Sequence, residues 1–226
     1  MDAVSDGNVK IVKKLIKRGV DPSLYGNKAI QLASVNGHFK VVERLLMDER
    51  VDPSVNNNYA IRWASENGHL KIIDKLLQHE NVDPSACYNE AIQRASRNGH
   101  FEVVERLLND NRVDPSDMCN EAIKIACRCD HLKVVDVLLL DKRVNPACDY
   151  NSCIEIAQCF NKYRIVERLL DDIRVYRFSD ESVYGIIREK IKKNTEIVVI
   201  LKGISWLPDE LIPIIMDFVC IKYKNV

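Results

Sequence analysis

The chain has 226 residues, enough for one ordinary domain with an appendage, and its 33 Lys and Arg equal its 33 Asp and Glu. With no net field to draw nucleic acid or an anionic membrane, neither is expected as a partner. The opening MDAVSDGNVK has neither the basic nor the apolar region of a signal peptide, and no run reaches the ~20 apolar residues of a bilayer span, so a cytoplasmic protein is expected.

Taken from the amino terminus, the first readable pattern is Gly7, Val12, Leu15 and Ile16, which return as Gly37, Val42, Leu45 and Leu46 thirty residues later. From there the period is 31: Val-Asp-Pro starts at Val51, Val82 and Val113, with Val-Asn-Pro at Val144. Gly-His falls at Gly37, Gly68 and Gly99, and Asp130-His131 fills the fourth slot. A fixed period in this range marks a stacked array. The units are a partial one at 1–26, complete ones at 27–57, 58–88, 89–119 and 120–150, and a degenerate one at 151–174. The first helix of the partial unit would begin before Met1, because Ala3 aligns with Ala33 near that helix's end. Met1 to Ser5 are expected to fray, and the first unit to be the least stable.

The unit at 58–88 shows the plan. Asn58 stands as an N-cap before a short helix, Tyr59 to Glu66, with Ala60, Ile61, Trp63 and Ala64 inward. Asn67-Gly68 breaks it. A second helix over about Leu70 to Gln78 carries Ile72, Ile73, Leu76 and Leu77 on one stripe, and Val82-Asp83-Pro84-Ser85 turns the chain toward the next Asn, Asn89. One unit cannot stand alone: ordering it costs roughly 1 to 2 kcal/mol per residue, against about 1.5 to 3 kcal/mol for each of its few buried apolar side chains. Stacking is obligatory. In the degenerate unit Ile154, Ala157, Val166, Leu169 and Leu170 persist, while Asn161-Lys162 replaces Gly-His. Asp130 and Asn161 suit the glycine slot because Asx residues enter the left-handed region more readily than other side chains.

The run Ala64, Gly68, His69, Ile72, Ile73, Leu76, Leu77, repeated in phase along the array, resembles the second half of the ankyrin repeat, A-x-x-x-G-H-x-x-V-V-x-x-L-L. The resemblance covers about Ala3 to Leu170 and implies an all-α helix-turn-helix solenoid. Two features depart from that family: Asn-x-Ala-Ile at Asn58, Asn89 and Asn120 replaces its T-P-L-H opening, and the connection is shorter, which predicts a stubby turn in place of a β-finger. The wording is most similar to ankyrin proteins of large DNA viruses and single-celled eukaryotes, which would put a viral member in the host cytoplasm.

Past Arg174 the period ends, and 175–226 reads as a helical extension. A helix over Asp180 to Lys193 carries Val183, Ile187 and Ile191. A short apolar segment, Ile197 to Leu201, stops at Gly203. Trp206 to Lys222 has Pro208 at a first helical position. This last stretch resembles the opening of an F-box, L-P-x-E-L-x-x-x-I, and that likeness implies Leu207, Pro208, Leu211, Ile215 and Phe218 as residues docking on the Skp-type adaptor of a cullin ubiquitin ligase. The same stripe would equally serve to cap the last repeat.

No catalytic constellation appears: there is no G-x-S-x-G, P-loop, H-E-x-x-H or Cys-His pairing, so no enzyme and no cofactor is expected. The histidines His38, His69, His100 and His131 would sit roughly 10 Å apart in successive layers, too far to share a metal; the family resemblance gives them backbone hydrogen bonds between turns. The eight cysteines fall at or after Cys87, some of them in slots held elsewhere by Ala29, Ser96 or Asn98, and Cys127-x-Cys129 lacks zinc-pair spacing, so reduced thiols and no metal are expected.

What varies between copies is the candidate site. Turn tips and outward first-helix positions line the concave side of a solenoid, where extended partners bind. These are Tyr59, Arg62, Glu66, Cys87, Tyr88, Glu90, Gln93, Arg97, Met118, Glu121, Lys124 and Tyr150. The expected function is binding of a partner protein there by a monomer. The competing readings are an adaptor for a cullin ubiquitin ligase acting through the tail, and a structural or vestigial repeat protein.

Overall fold

A computed structural model describes residues 2–176, apart from the side chains of Tyr150, Ile173 and Tyr176. The regular structure among these residues is all helical, in chain order α1 (Asp2–Ser5), α2 (Val9–Lys17), α3 (Leu24–Val35), α4 (Phe39–Leu45), α5 (Val55–Glu66), α6 (Leu70–Leu77), α7 (Ala86–Arg97), α8 (Phe101–Leu108), α9 (Asp117–Arg128), α10 (Leu132–Leu140), α11 (Cys148–Cys159), α12 (Tyr163–Leu170) and α13 (Ile173–Tyr176). The tail elements expected past Tyr176, with Leu207, Pro208, Leu211, Ile215 and Phe218, lie outside the described residues.

The helices form two rows. First helices pack on first helices, α3 on α5, α5 on α7, α7 on α9 and α9 on α11, and second helices α4, α6, α8, α10 and α12 do the same behind them. Between the rows, Ala60, Ile61 and Ala64 meet Ile72, Ile73 and Leu76, all buried, and the other complete units repeat the set. In the complete units the apolar stripes read from sequence pack into the core, and Trp63 departs from them. Trp63 is only half-buried; its ring stacks on Tyr59 with centroids 5.3 Å apart and carries the Arg94 guanidinium 4.4 Å above it. Asp2–Ser5, expected to fray, forms a helical turn closed by the Asp6 N–H on the Asp2 carbonyl at 2.8 Å.

The connections are stubby turns and among the described residues no strand forms, but their backbone departs from the sequence expectation. Asn58 does not cap α5. Asn56, Asn57 and Asn58 have φ of 55°, 54° and 59°, one turn of left-handed helix, and Tyr25-Gly26-Asn27, Cys87-Tyr88-Asn89 and Met118-Cys119-Asn120 do likewise. Each such non-glycine residue costs about 1 to 2 kcal/mol, so something must hold the turn. The last Asn of each triplet is buried, and its side-chain oxygen accepts the backbone N–H of the following unit's turn: Asp52 on Asn27 (2.9 Å), Asp83 on Asn58 (2.8 Å), Asp114 on Asn89 (2.8 Å) and Asn145 on Asn120 (2.6 Å). The Asn is a latch between units, because the left-handed backbone turns its side chain away from the helix it precedes. Each latched Asp accepts in turn from the serine two residues on, as Asp83 does from Ser85 N and Oγ at 2.9 and 2.6 Å.

Two further ties run between units. The histidine before each second helix donates Nε2–H to the carbonyl at the end of the preceding unit's first helix: His69 to Val35 at 3.0 Å, His100 to Glu66 at 2.9 Å and His131 to Arg97 at 2.9 Å. Its ring lies against the preceding glycine; a Cβ on Gly68, at φ 72°, would meet His100 Nδ1 at 2.6 Å. The second tie was not anticipated. In Asp-x-Arg-Val, Asp110, Asp141 and Asp172 pair with Arg112, Arg143 and Arg174, whose guanidinium groups reach back to the carbonyls of Val82 (2.6 Å), Val113 (2.8 Å) and Val144 (2.7 Å). The unit at 58–88 has His79 and Asn81 in these slots.

Candidate protein-binding face

The left-handed turns push three large apolar side chains into solvent at the tips of the array: Tyr25 is 85% exposed, Tyr88 72% and Met118 55%. Tyr25 and Met118 hold the first position of the turn, with Asn56 and Cys87 between them in the same column; Tyr88 holds the second. The turns are closed from inside. Gln31 donates to the Gly26 carbonyl at 2.7 Å, Arg62 to Asn57 and Asn56 at 2.8 and 3.0 Å, and Gln93 to Tyr88 at 2.6 Å. Neighbouring tips also touch, Gln93 Nε2 lying 3.8 Å from Met118 Sδ. The backbone that carries these exposed groups is therefore held in place.

The first-helix residues expected beside these tips divide into two sets. Cys87, Arg97, Tyr88 and Met118 are exposed, while Tyr59, Gln93 and Glu121 are half-buried. Arg62, Glu66 and Glu90 instead belong to an internal ion-pair chain across α5 and α7: Arg62 pairs with Glu90, Glu90 with Arg94 at 2.6 Å, and Arg94 with Glu66. The Arg62 side chain is only 12% exposed. Lys124 departs furthest from expectation. It is buried to 9% exposure and its Nζ donates to Asp149 at 2.7 Å; burial works against its charge, but the Asp149 carboxylate outweighs that and holds its pKa above the usual lysine value. These residues read as outward because they are polar at a first-helix position, and the partners that draw in Arg62, Glu66 and Lys124 lie 25 to 28 residues away, beyond any local pattern. The side chain of Tyr150 is outside the described set. Tyr25 is not among the residues expected from the sequence, although the repeat alignment that singles out Met118 puts it in the same column.

The histidine column does structural work. Burial lowers the pKa of His100, with the Glu102 charge opposing it. Cys127 and Cys153 are buried together; the hydrogen bond between the thiols, and then burial, push Cys127 far up, so this pair is inert core filling. Among the described residues no helix is long and apolar enough to cross a membrane.

No curated protein matches the chain. A family model described as ankyrin repeats (3 copies) matches it three times, over residues 1–88, 61–152 and 92–179. That family is a non-enzymatic interaction fold whose members are generally protein–protein interaction modules. By this match, and by the two rows of stacked helix pairs, the chain belongs to the ankyrin-repeat family.

Proposed function

We propose that this protein binds a partner protein along the rim formed by its turn tips, with Tyr25, Tyr88 and Met118 as the anchoring side chains and Cys87 and Arg97 beside them. The observation that carries this reading is the exposure of those three large apolar groups on a strained backbone that Asn latches and side-chain bonds hold rigid. Aromatic side chains dominate interface hot spots, and methionine is enriched at interfaces. The internal ion-pair chain of Arg62, Glu90, Arg94 and Glu66 sets the spacing of the tips, and its charges are already satisfied. The protein acts as a cytoplasmic monomer in this reading.

A second reading rests on the sequence of the tail, Leu207-Pro208-Asp209-Glu210-Leu211, which would recruit the Skp-type adaptor of a cullin ubiquitin ligase while the array holds the substrate. One experiment addresses both. Quantitative affinity capture from source cells compares the full chain, the triple variant Tyr25→Ala, Tyr88→Ala, Met118→Ala, and the full chain carrying Leu211→Asp. We expect the triple variant to lose at least about tenfold of its specific partners, as removal of two or three hot spots does, with a melting temperature within about 2 °C of the parent. Undiminished capture would overturn the rim, and capture of nothing by the parent chain would favour a purely structural protein. Loss of an adaptor from the Leu211→Asp sample alone would support the ligase reading; absence of any adaptor from the parent sample would end it.

A further inference from the structure

One junction of the array, between the turns at the starts of α9 and α11, carries a cluster that the rim does not use. Cys119 sits in the middle of a left-handed turn at φ 56°, Cys148 opens α11, and Asp149 follows at φ 50°. The two sulfurs and an Asp149 carboxylate oxygen lie within 4.8 Å of one another, Cys119 and Asp149 exposed and Cys148 half-buried. In the preceding units the positions of Cys119 and Cys148 are held by Gly26 and Val55, Asn57 and Ala86, and Tyr88 and Asp117. Cys119 occupies a conformation for which Gly or Asn is the cheaper residue. Packing does not require it, since Cys119 is exposed.

The pieces are held in place from both sides. The Asn120 side-chain oxygen accepts the Asn145 N–H at 2.6 Å, which fixes the register of the two turns, and Lys124 holds the Asp149 carboxylate at 2.7 Å. Two thiolates and a carboxylate match the ligand preferences of a d10 divalent cation, which bonds sulfur at about 2.3 Å and carboxylate oxygen at about 2.0 to 2.2 Å. Around a tetrahedral ion of those bond lengths the sulfurs stand about 3.8 Å apart, so small rotations of surface side chains suffice. We propose that Cys119, Cys148 and Asp149 bind one zinc-class divalent cation, leaving its fourth position to water. Binding releases the two thiol protons to solvent. Two thiolates, one carboxylate and the ion then sum to a single negative charge, which the adjacent Lys124 ammonium neutralises. The ion would clamp the last described unit at the junction where Asp130 and Lys162 have replaced the glycine and histidine of the earlier ones.

The full chain, reduced and metal-free, is titrated with Co2+ as the spectroscopic probe and then with Zn2+ in competition. The expected result is a thiolate-to-metal charge-transfer band that saturates near one equivalent and is displaced by Zn2+, and a melting temperature raised by roughly 5 °C at Zn2+ one hundredfold above Kd. Cys119→Ser and Cys148→Ser should each weaken binding by at least about tenfold, and Asp149→Asn should weaken it while leaving a charge-transfer band. Cys159→Ser, at an exposed thiol elsewhere, should bind as the parent does. Circular dichroism of each variant shows whether it is folded. Absence of the band in the parent, or its survival in the Cys119→Ser, Cys148→Ser double variant, overturns the proposal. Recovery of a Cys119–Cys148 disulfide from reduced, anaerobic protein that takes up no metal does the same.

Discussion

Gly68 and His100 are one feature, although they stand 32 residues apart in different units. The glycine is needed twice over, for its positive φ and because the imidazole of the next layer occupies the place of a Cβ. Asp130 shows the converse. It holds the same left-handed conformation at φ 68°, and the next layer offers Lys162, whose ammonium pairs with the Asp130 carboxylate at 3.4 Å, where the earlier layers put a ring. The glycine slot therefore accepts a side chain when the next histidine is gone, and a double-mutant cycle measures this. Gly68→Ala should cost about 2 to 4 kcal/mol, combining left-handed strain with the clash. In a His100→Lys background the same change should cost less, with a coupling of about 1 kcal/mol or more. Additive urea-unfolding energies would show that the ring and the glycine are independent.

At the scale of the helix pair, position in the array decides what a side chain is worth. Leu107 and Leu15 occupy the same slot of their units, yet Leu107 is fully buried between neighbours on both sides and Leu15 is 38% exposed. Leu107→Ala should cost about 2 to 5 kcal/mol, and Leu15→Ala should cost less than half of that, as urea unfolding would report; equal losses would count against nearest-neighbour stacking. Acid should loosen the pairs in two stages. Burial holds His100 neutral, below its ordinary 6.5, so the stability this gives is present above pH 6.5 and is lost as pH falls through its lowered value. The Arg50 guanidinium, hydrogen-bonded to Asp48, holds that carboxyl at about 2, and Arg112, Arg143 and Arg174 lower Asp110, Asp141 and Asp172 in the same way. Their contribution is present above pH 3.8 and is lost as pH falls through their lowered values. The urea midpoint should therefore decline first below pH 6.5, a stage missing in His100→Gln, and again below about pH 4, a stage reduced in Arg112→Ala, Arg143→Ala. A midpoint level from pH 6.5 to 5 would remove His100 from the account.

For the molecule as a whole, the 31-residue period, the alternation of helix and turn, and the inward stripes were all legible in the chain, because burial against a neighbour leaves a periodic apolar signature in every copy. Ala60, Ile61, Ile72, Ile73 and Leu76 went where their spacing put them. Outside the histidine column, the tertiary structure alone decided what the polar residues between layers do. Asn58 reads as a cap because Asn before a helix usually is one; whether its oxygen meets its own helix or Asp83 of the next layer depends on a left-handed turn that no local pattern announces. Lys124, Arg62 and Glu90 read as outward charges, and partners 25 or 28 residues away drew them in. Apolar burial is set by an average along the chain and can be read from it, whereas a hydrogen bond between layers is set by a few tenths of an ångström between groups that only stacking brings together.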